Sequence, residues 1–154
     1  MIKIEDVENA QNQWGSGIVK IGQLKDSFKE CRMYTLGFIN KMYNFENGSV
    51  QFKPTKAADK QFRNDIQGAL SYFIGADPDY NEDEGFAINP WTQVEFQNDS
   101  INIYESMALA MGNYFFTDLN GNKTKVEYTF AYIKDDTGEL KIILHHSSLP
   151  YPLV

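Results

Sequence analysis

The 154-residue sequence predicts an α+β fold, with N-terminal helices packed on one face of a curved antiparallel sheet. Three observations predict it. Apolar residues recur at helical spacing through the first third of the chain, and the patterning switches to period two near Trp91. Asn120-Gly121 and Asp135-Asp136-Thr137-Gly138 then stand between alternating runs as hairpin turns. A single domain over residues 1–154 is expected, because a chain of this length buries a full core without staples.

The first helix is expected from Ile4 to about Asp26, with Val7, Ala10, Trp14, Ile18, Ile21 and Leu24 on one stripe. Gly15, Gly17 and Gly22 each cost about 1 kcal/mol against Ala inside a helix, so a kink or break near Trp14-Gly15 is expected. Ser27 with Glu30 makes a capping-box pattern, and the helix it starts runs through Met33, Leu36, Phe38, Ile39 and Met42 to about Tyr43. Asn44 to Gly48 reads as a turn, and a short strand over residues 49–53 ends at Pro54. A third helix is expected from Ala57 to Gly75, with Phe62, Ile66, Leu70, Phe73 and Ile74 on one side. Asp77 to Glu84 reads as a solvated acidic loop. Alternating runs at residues 91–96, 101–104 and 107–118 precede a hairpin, and four further strands are expected after Trp91.

That hairpin is the most informative stretch. Tyr128, Phe130 and Tyr132 share one face of its first strand, and the returning strand from Leu140 carries both histidines of the protein into Ser147-Ser148. His145 and Ser147 share a face opposite that of His146 and Ser148. With Tyr128, Phe130, His145 and Ser147 turned inward, Tyr114, Phe116, Thr129, Ala131, Ile133, Leu144 and His146 are expected outside. So apolar an outer face predicts a homodimer through the sheet.

Composition narrows the function classes. A net charge of −7 and a pI near 4.8 argue against nucleic acid and against anionic membrane surfaces as partners. The lone Cys31 excludes an internal disulfide and a multi-thiolate zinc site. No run approaches the roughly 20 apolar residues of a membrane span, and Met1 to Asp6 lacks the apolar core of a signal peptide. Cytoplasmic residence is therefore expected, although a chain trimmed of a leader reads the same.

Adjacent histidines on a strand point to opposite faces, so His145 and His146 do not combine on one metal ion. Counted from Asp77, the sixth and twelfth positions of a calcium loop would be Glu82 and Ile88, where Gly and Glu are required. No phosphate-binding glycine loop and no nucleophile elbow occurs. Neither a metal nor a cofactor is expected. What remains is an inward His145 inside an aromatic pocket, either a satisfied core histidine or a group that meets a ligand.

The order of elements, with Trp14 on a long first helix, a Val-x-Phe-x-Pro strand, a helix ending in Tyr72-Phe73 and the closing YTFAYIKDD-G-LKIILHHSS, resembles the nuclear-transport-factor-two-like (SnoaL-like) cone-fold superfamily. Within it the chain looks closest to small bacterial proteins related to the association domain of calcium/calmodulin-dependent protein kinase II. The resemblance covers nearly the whole chain, and residues 75–91 read as an insertion. It implies a curved antiparallel sheet wrapped around a long helix to form a cone with a deep pocket, and pairing of sheets into a dimer. The arginines that line the kinase pocket would fall near Phe115, Phe130 and Ser147, none of which is basic.

Two functions are expected as alternatives. One is a dimeric module holding a small, largely apolar ligand among Trp14, Tyr72, Phe115, Tyr128, Phe130 and Ser147, with His145 as a polar anchor. The other is an isomerase, dehydratase or cyclase with His145 as catalytic general base and Tyr128 or Tyr72 donating to an oxyanion. In both, burial keeps His145 neutral at pH 7.

Overall fold

The computed structural model describes residues 1–153. Helix α1 spans Ile4–Gln23 and α2 spans Phe28–Met42, followed by a 3-10 turn over Asn44–Glu46. Strand β1, Gln51–Lys53, and helix α3, Ile66–Ile74, precede the sheet strands β2 (Trp91–Ile103), β3 (Met107–Asp118), β4 (Lys123–Lys134) and β5 (Leu140–Ser148). The five strands are ordered β1-β5-β4-β3-β2. All neighbours are antiparallel except β1, which runs parallel to β5. The sheet is thus mixed, where an antiparallel one was expected, because the chain crosses from α2 to reach the open edge of β5.

Helix α1 does not break at Trp14-Gly15; it is continuous to Gln23. Its glycines are packing positions. A Cβ at Gly17 would run into the Phe38 ring of α2, and one at Gly22 would crowd the carbonyl of Ala87. The propensity cost is offset by close approach of the neighbouring elements. Ser27 caps α2 as expected, accepting from Glu30 N at 3.5 Å.

Helix α3 is half the expected length, since residues 57–65 are irregular. Backbone partners outside the segment win over helical periodicity there. Arg63 N donates to Phe52 O at 2.7 Å, and Asn64 Oδ1 accepts from Phe52 N at 2.9 Å, so 63–64 run along β1. Phe62, expected on a buried stripe, is 67% exposed. Asp65 then starts α3 by accepting from Gly68 N at 2.7 Å.

Nor is the acidic loop merely solvated. Glu82 accepts from Ala58 N, Asp59 N and Lys60 N, and Asp83 holds the buried Arg63 guanidinium at 2.7 and 2.8 Å. Strand β2 is one element where two runs were expected. Its bulge between Asn98 and Ser100 breaks the alternation, and Asn98 exchanges hydrogen bonds with Gln11 of α1 at 2.7 and 2.9 Å.

The core lies between α1 and the inner sheet face. Trp14 is 2% exposed and packs against Phe96, Tyr114, Phe116 and Phe130. Tyr114 and Phe116, expected outside, are both buried within this core. The turn at residues 119–122 sets Tyr114 opposite Val126 and Phe115 opposite Lys125, which puts the even-numbered residues of β3 inside. Phe115, expected to line the pocket, is therefore half-buried on the other face.

Candidate active site

His145 is 2% exposed in the middle of β5. Its register partners on the flanking strands are Phe52 of β1 and Phe130 of β4. The two phenyl rings sandwich the imidazole, with centroids 4.8 and 4.1 Å away and planes inclined by 15° and 26°. Burial, helped by His146, holds its pKa well below the ordinary histidine range, so the ring is neutral at pH 7. Nδ1 lies 2.9 Å from Tyr43 Oη and Nε2 lies 3.1 Å from Tyr114 Oη. Both nitrogens are occupied by protein hydroxyls, which leaves neither facing a ligand as a direct base.

From Tyr114 the polar contacts continue outward. Its hydroxyl is 2.6 Å from Ser147 Oγ, which is 2.6 Å from Thr55 Oγ1. Thr55 stands two residues beyond β1, and the Lys53 ammonium ties the strand ends together by donating to Ser147 O and Thr55 O at 3.2 and 3.4 Å. The half-buried Thr55 hydroxyl also bears on the Tyr72 phenol of α3, whose oxygen accepts from Lys56 N at 3.2 Å. Beside Tyr72 a half-open cleft of about 350 Å³ is lined by Lys56, Glu82, Glu84, Phe86 and Ile88. Phe86 stacks on Tyr72 and meets Phe116 edge-on. Burial raises the phenols of Tyr43, Tyr72 and Tyr114 above their ordinary range, so each keeps its proton. The site is a neutral run of hydroxyls ending beside a cleft whose walls mix charged side chains with Phe86 and Ile88.

Of the residues singled out from sequence, Trp14, Tyr72, Phe130, His145 and Ser147 converge here. Tyr128 does not, because its hydroxyl bonds Asn98 in the separate network with Gln11. Sequence reasoning missed Tyr43, Thr55 and Tyr114. Thr55 and Ser147 are 92 positions apart, and no spacing rule joins two lone hydroxyls. Among the described residues no group of three or more His, Cys, Asp or Glu is arranged to hold a metal ion.

Comparison with known proteins decides the family. The family model for metal-independent carbonic anhydrase matches residues 5–149. The chain belongs to the metal-independent carbonic anhydrase family. A metal-independent carbonic anhydrase of Nostoc sp. (strain PCC 7120) is 42% identical over 95% of this chain and 73% of its own length. The crystal structure of a cyanobacterial iota-carbonic anhydrase complexed with bicarbonate superposes with a TM-score of 0.94, at 39% identity, covering 99% of this chain and 94% of that one. A putative calcium/calmodulin-dependent protein kinase II association domain from Xanthomonas campestris superposes at 0.67 with 18% identity, covering 99% and 91%.

The cone fold of the nuclear-transport-factor-two-like proteins is thereby established, and the kinase-domain likeness is one of fold alone. Two expectations fall with the family match. The chain is not placed nearest the kinase-associated proteins, and the module for an apolar ligand, with its isomerase-like alternative, is overturned. The resemblance went astray because fold-level features dominate the chain, while the residues that separate these families carry no local motif.

Proposed function

We propose that this protein interconverts carbon dioxide and bicarbonate without a metal ion, at the hydroxyl cluster of Thr55, Ser147 and Tyr114. The observation that carries the reading is the family match over residues 5–149. The geometry supports it. Carbon dioxide is apolar and suits the wall that Phe86 and Ile88 give the cleft, and its oxygens acquire charge only as water adds. In that step the water oxygen bonds carbon, one C=O π pair becomes an oxygen lone pair, and a water proton leaves to solvent in the cleft. The neutral hydroxyls around Thr55 hold the oxygens in register, while the half-buried Lys53 ammonium adds a positive field nearby. With no arginine on the hydroxyl cluster, the bicarbonate anion is not trapped.

Oxygen-18 exchange between carbon dioxide and water, followed by mass spectrometry, tests this. Thr55→Val and Ser147→Ala are expected to lower kcat/KM by about 10²–10³, the usual cost of losing one preorganised partner of a developing oxyanion. Exhaustive dialysis against EDTA and dipicolinate is expected to leave the rate unchanged. Exchange no faster than buffer in the untreated protein overturns the reading, and loss of activity on chelation overturns its metal independence.

The reading includes a homodimer through the outer sheet face. Met111, 53% exposed, and the half-buried Leu109, Phe115, Ile133 and Leu144 supply apolar surface there, with His146 among them.

A further inference from the structure

We infer that Tyr43 fixes the tautomer of His145, so that the buried hydrogen bonds run in one direction, outward, and end in a donor at Thr55, beside the Tyr72 that lines the cleft. The inference deepens the carbonic anhydrase reading and rests on it for its kinetic half only. The indole N–H of Trp14 can only donate, and it gives its hydrogen bond to Tyr43 Oη at 3.0 Å. Tyr43 is fully buried, and its hydroxyl has one other side-chain partner among the described residues, His145 Nδ1 at 2.9 Å. Its proton must go to Nδ1, since a buried O–H with no acceptor is disfavoured. A neutral imidazole carries one N–H. With Nδ1 accepting, that proton sits on Nε2 and is donated to Tyr114 Oη at 3.1 Å.

Tyr114 then has its oxygen engaged and donates onward to Ser147 Oγ, and Ser147 donates to Thr55 Oγ1, each at 2.6 Å. Thr55 is left with its own O–H to turn toward the Tyr72 phenol it bears on, and Tyr72 lines the cleft. Five hydrogen bonds thus align head to tail and polarise one another. The aligned dipoles present their positive end where charge develops on carbon dioxide. The opposite tautomer reverses every bond from His145 outward, strands the Tyr43 proton and turns an oxygen lone pair of Thr55 toward Tyr72 and the cleft. Tyr43 is therefore a positioning residue that never touches substrate, and His145 is a donor in the relay rather than a base.

The protein has two histidines, so their imidazole nitrogens are separable in a long-range ¹H–¹⁵N correlation spectrum, with the outer-face variant His146→Gln assigning the pair. Wild-type His145 is expected to show a bare Nδ1 and a protonated Nε2. In Tyr43→Phe the second tautomer is expected to appear, while kcat falls about tenfold to a hundredfold and KM stays within about a factor of two. A protonated Nδ1 in the wild type overturns the inference, and this measurement stands even if Tyr43→Phe fails to fold. So does a folded Tyr43→Phe protein with unchanged tautomer and kcat. A wild type with the expected tautomer but no oxygen-18 exchange instead overturns the carbonic anhydrase reading and leaves the direction of the relay standing.

Discussion

The imidazole of His145 is a buried base that folding keeps uncharged, and this has a consequence for stability in acid. Its folded pKa lies well below the ordinary histidine value because burial penalises the charged form. Below a pH of about 6.5 the unfolded chain binds a proton that the folded chain refuses, so stability falls as pH drops through that value and is fully present above it. Between about pH 7.5 and about pH 5.5 this one group removes roughly 1.4 kcal/mol. Urea unfolding at the two pH values should register that loss in the wild type and not in His145→Gln. An equal loss in both proteins would assign the acid sensitivity elsewhere. His145 and Ser147 were legible in the sequence because strand alternation places them on one inward face. Tyr114 was misplaced by a single residue of parity, since β3 contains aromatics at 114, 115 and 116, and alternation alone does not say which of these turns inward. Only the pairing set by the turn at residues 119–122 decides it.

At the scale of elements, the site depends on a segment with no regular structure. Residues 57–65 follow Thr55 and are fastened by acceptors from the loop after α3. Burial raises the Glu82 carboxyl, but its backbone donors at 58–60 and Arg63 outweigh that and hold it below the usual carboxylate range. The Arg63 side chain is fully buried against Asp83 at 2.7 Å, with a Tyr80 ring 4.3 Å away. Removing one partner of such a pair leaves an uncompensated buried charge. Asp83→Ala should therefore cost about 3–5 kcal/mol of unfolding free energy, read by urea denaturation at neutral pH. Arg63→Met with Asp83→Leu should restore much of it, since apolar replacement of both partners is often near neutral. A loss under about 1 kcal/mol for Asp83→Ala would mean the pair is not what fastens the segment. Sequence periodicity extended α3 across this segment because Phe62 fell in phase. The deciding interactions reach from Glu82 and Asp83 some twenty residues away, beyond what a local pattern records.

For the whole molecule, the switch of period near Trp91 was enough to give helices over a sheet, and the two hairpin turns were enough to give the order β3 to β5. Strand β1 was expected over residues 49–53, but its parallel direction was beyond reach, since three residues carry no sign of direction. The family was beyond reach for a related reason: the cone is shared by proteins of many activities, and the distinguishing hydroxyls meet only after folding. The outer face of the sheet carries the remaining prediction. Leu109 pairs with Ala131, which pairs with Leu144, and Met111 pairs with Thr129, which pairs with His146. These residues form one patch on the face opposite His145. Two copies facing each other across it would cover Met111 and leave the cleft beside Tyr72 open, because that cleft lies among α3 and the loop that follows it. Light scattering at micromolar concentration should give twice the 17.7 kDa chain mass. Met111→Lys with Leu109→Lys should halve it, since unpaired charges on the patch cannot be buried without a partner. The circular dichroism spectrum should stay unchanged, because Met111 is exposed and Leu109 half-buried in the single chain. A wild type of single-chain mass rules out the dimer, and a dimer that survives both lysines places its interface on another face.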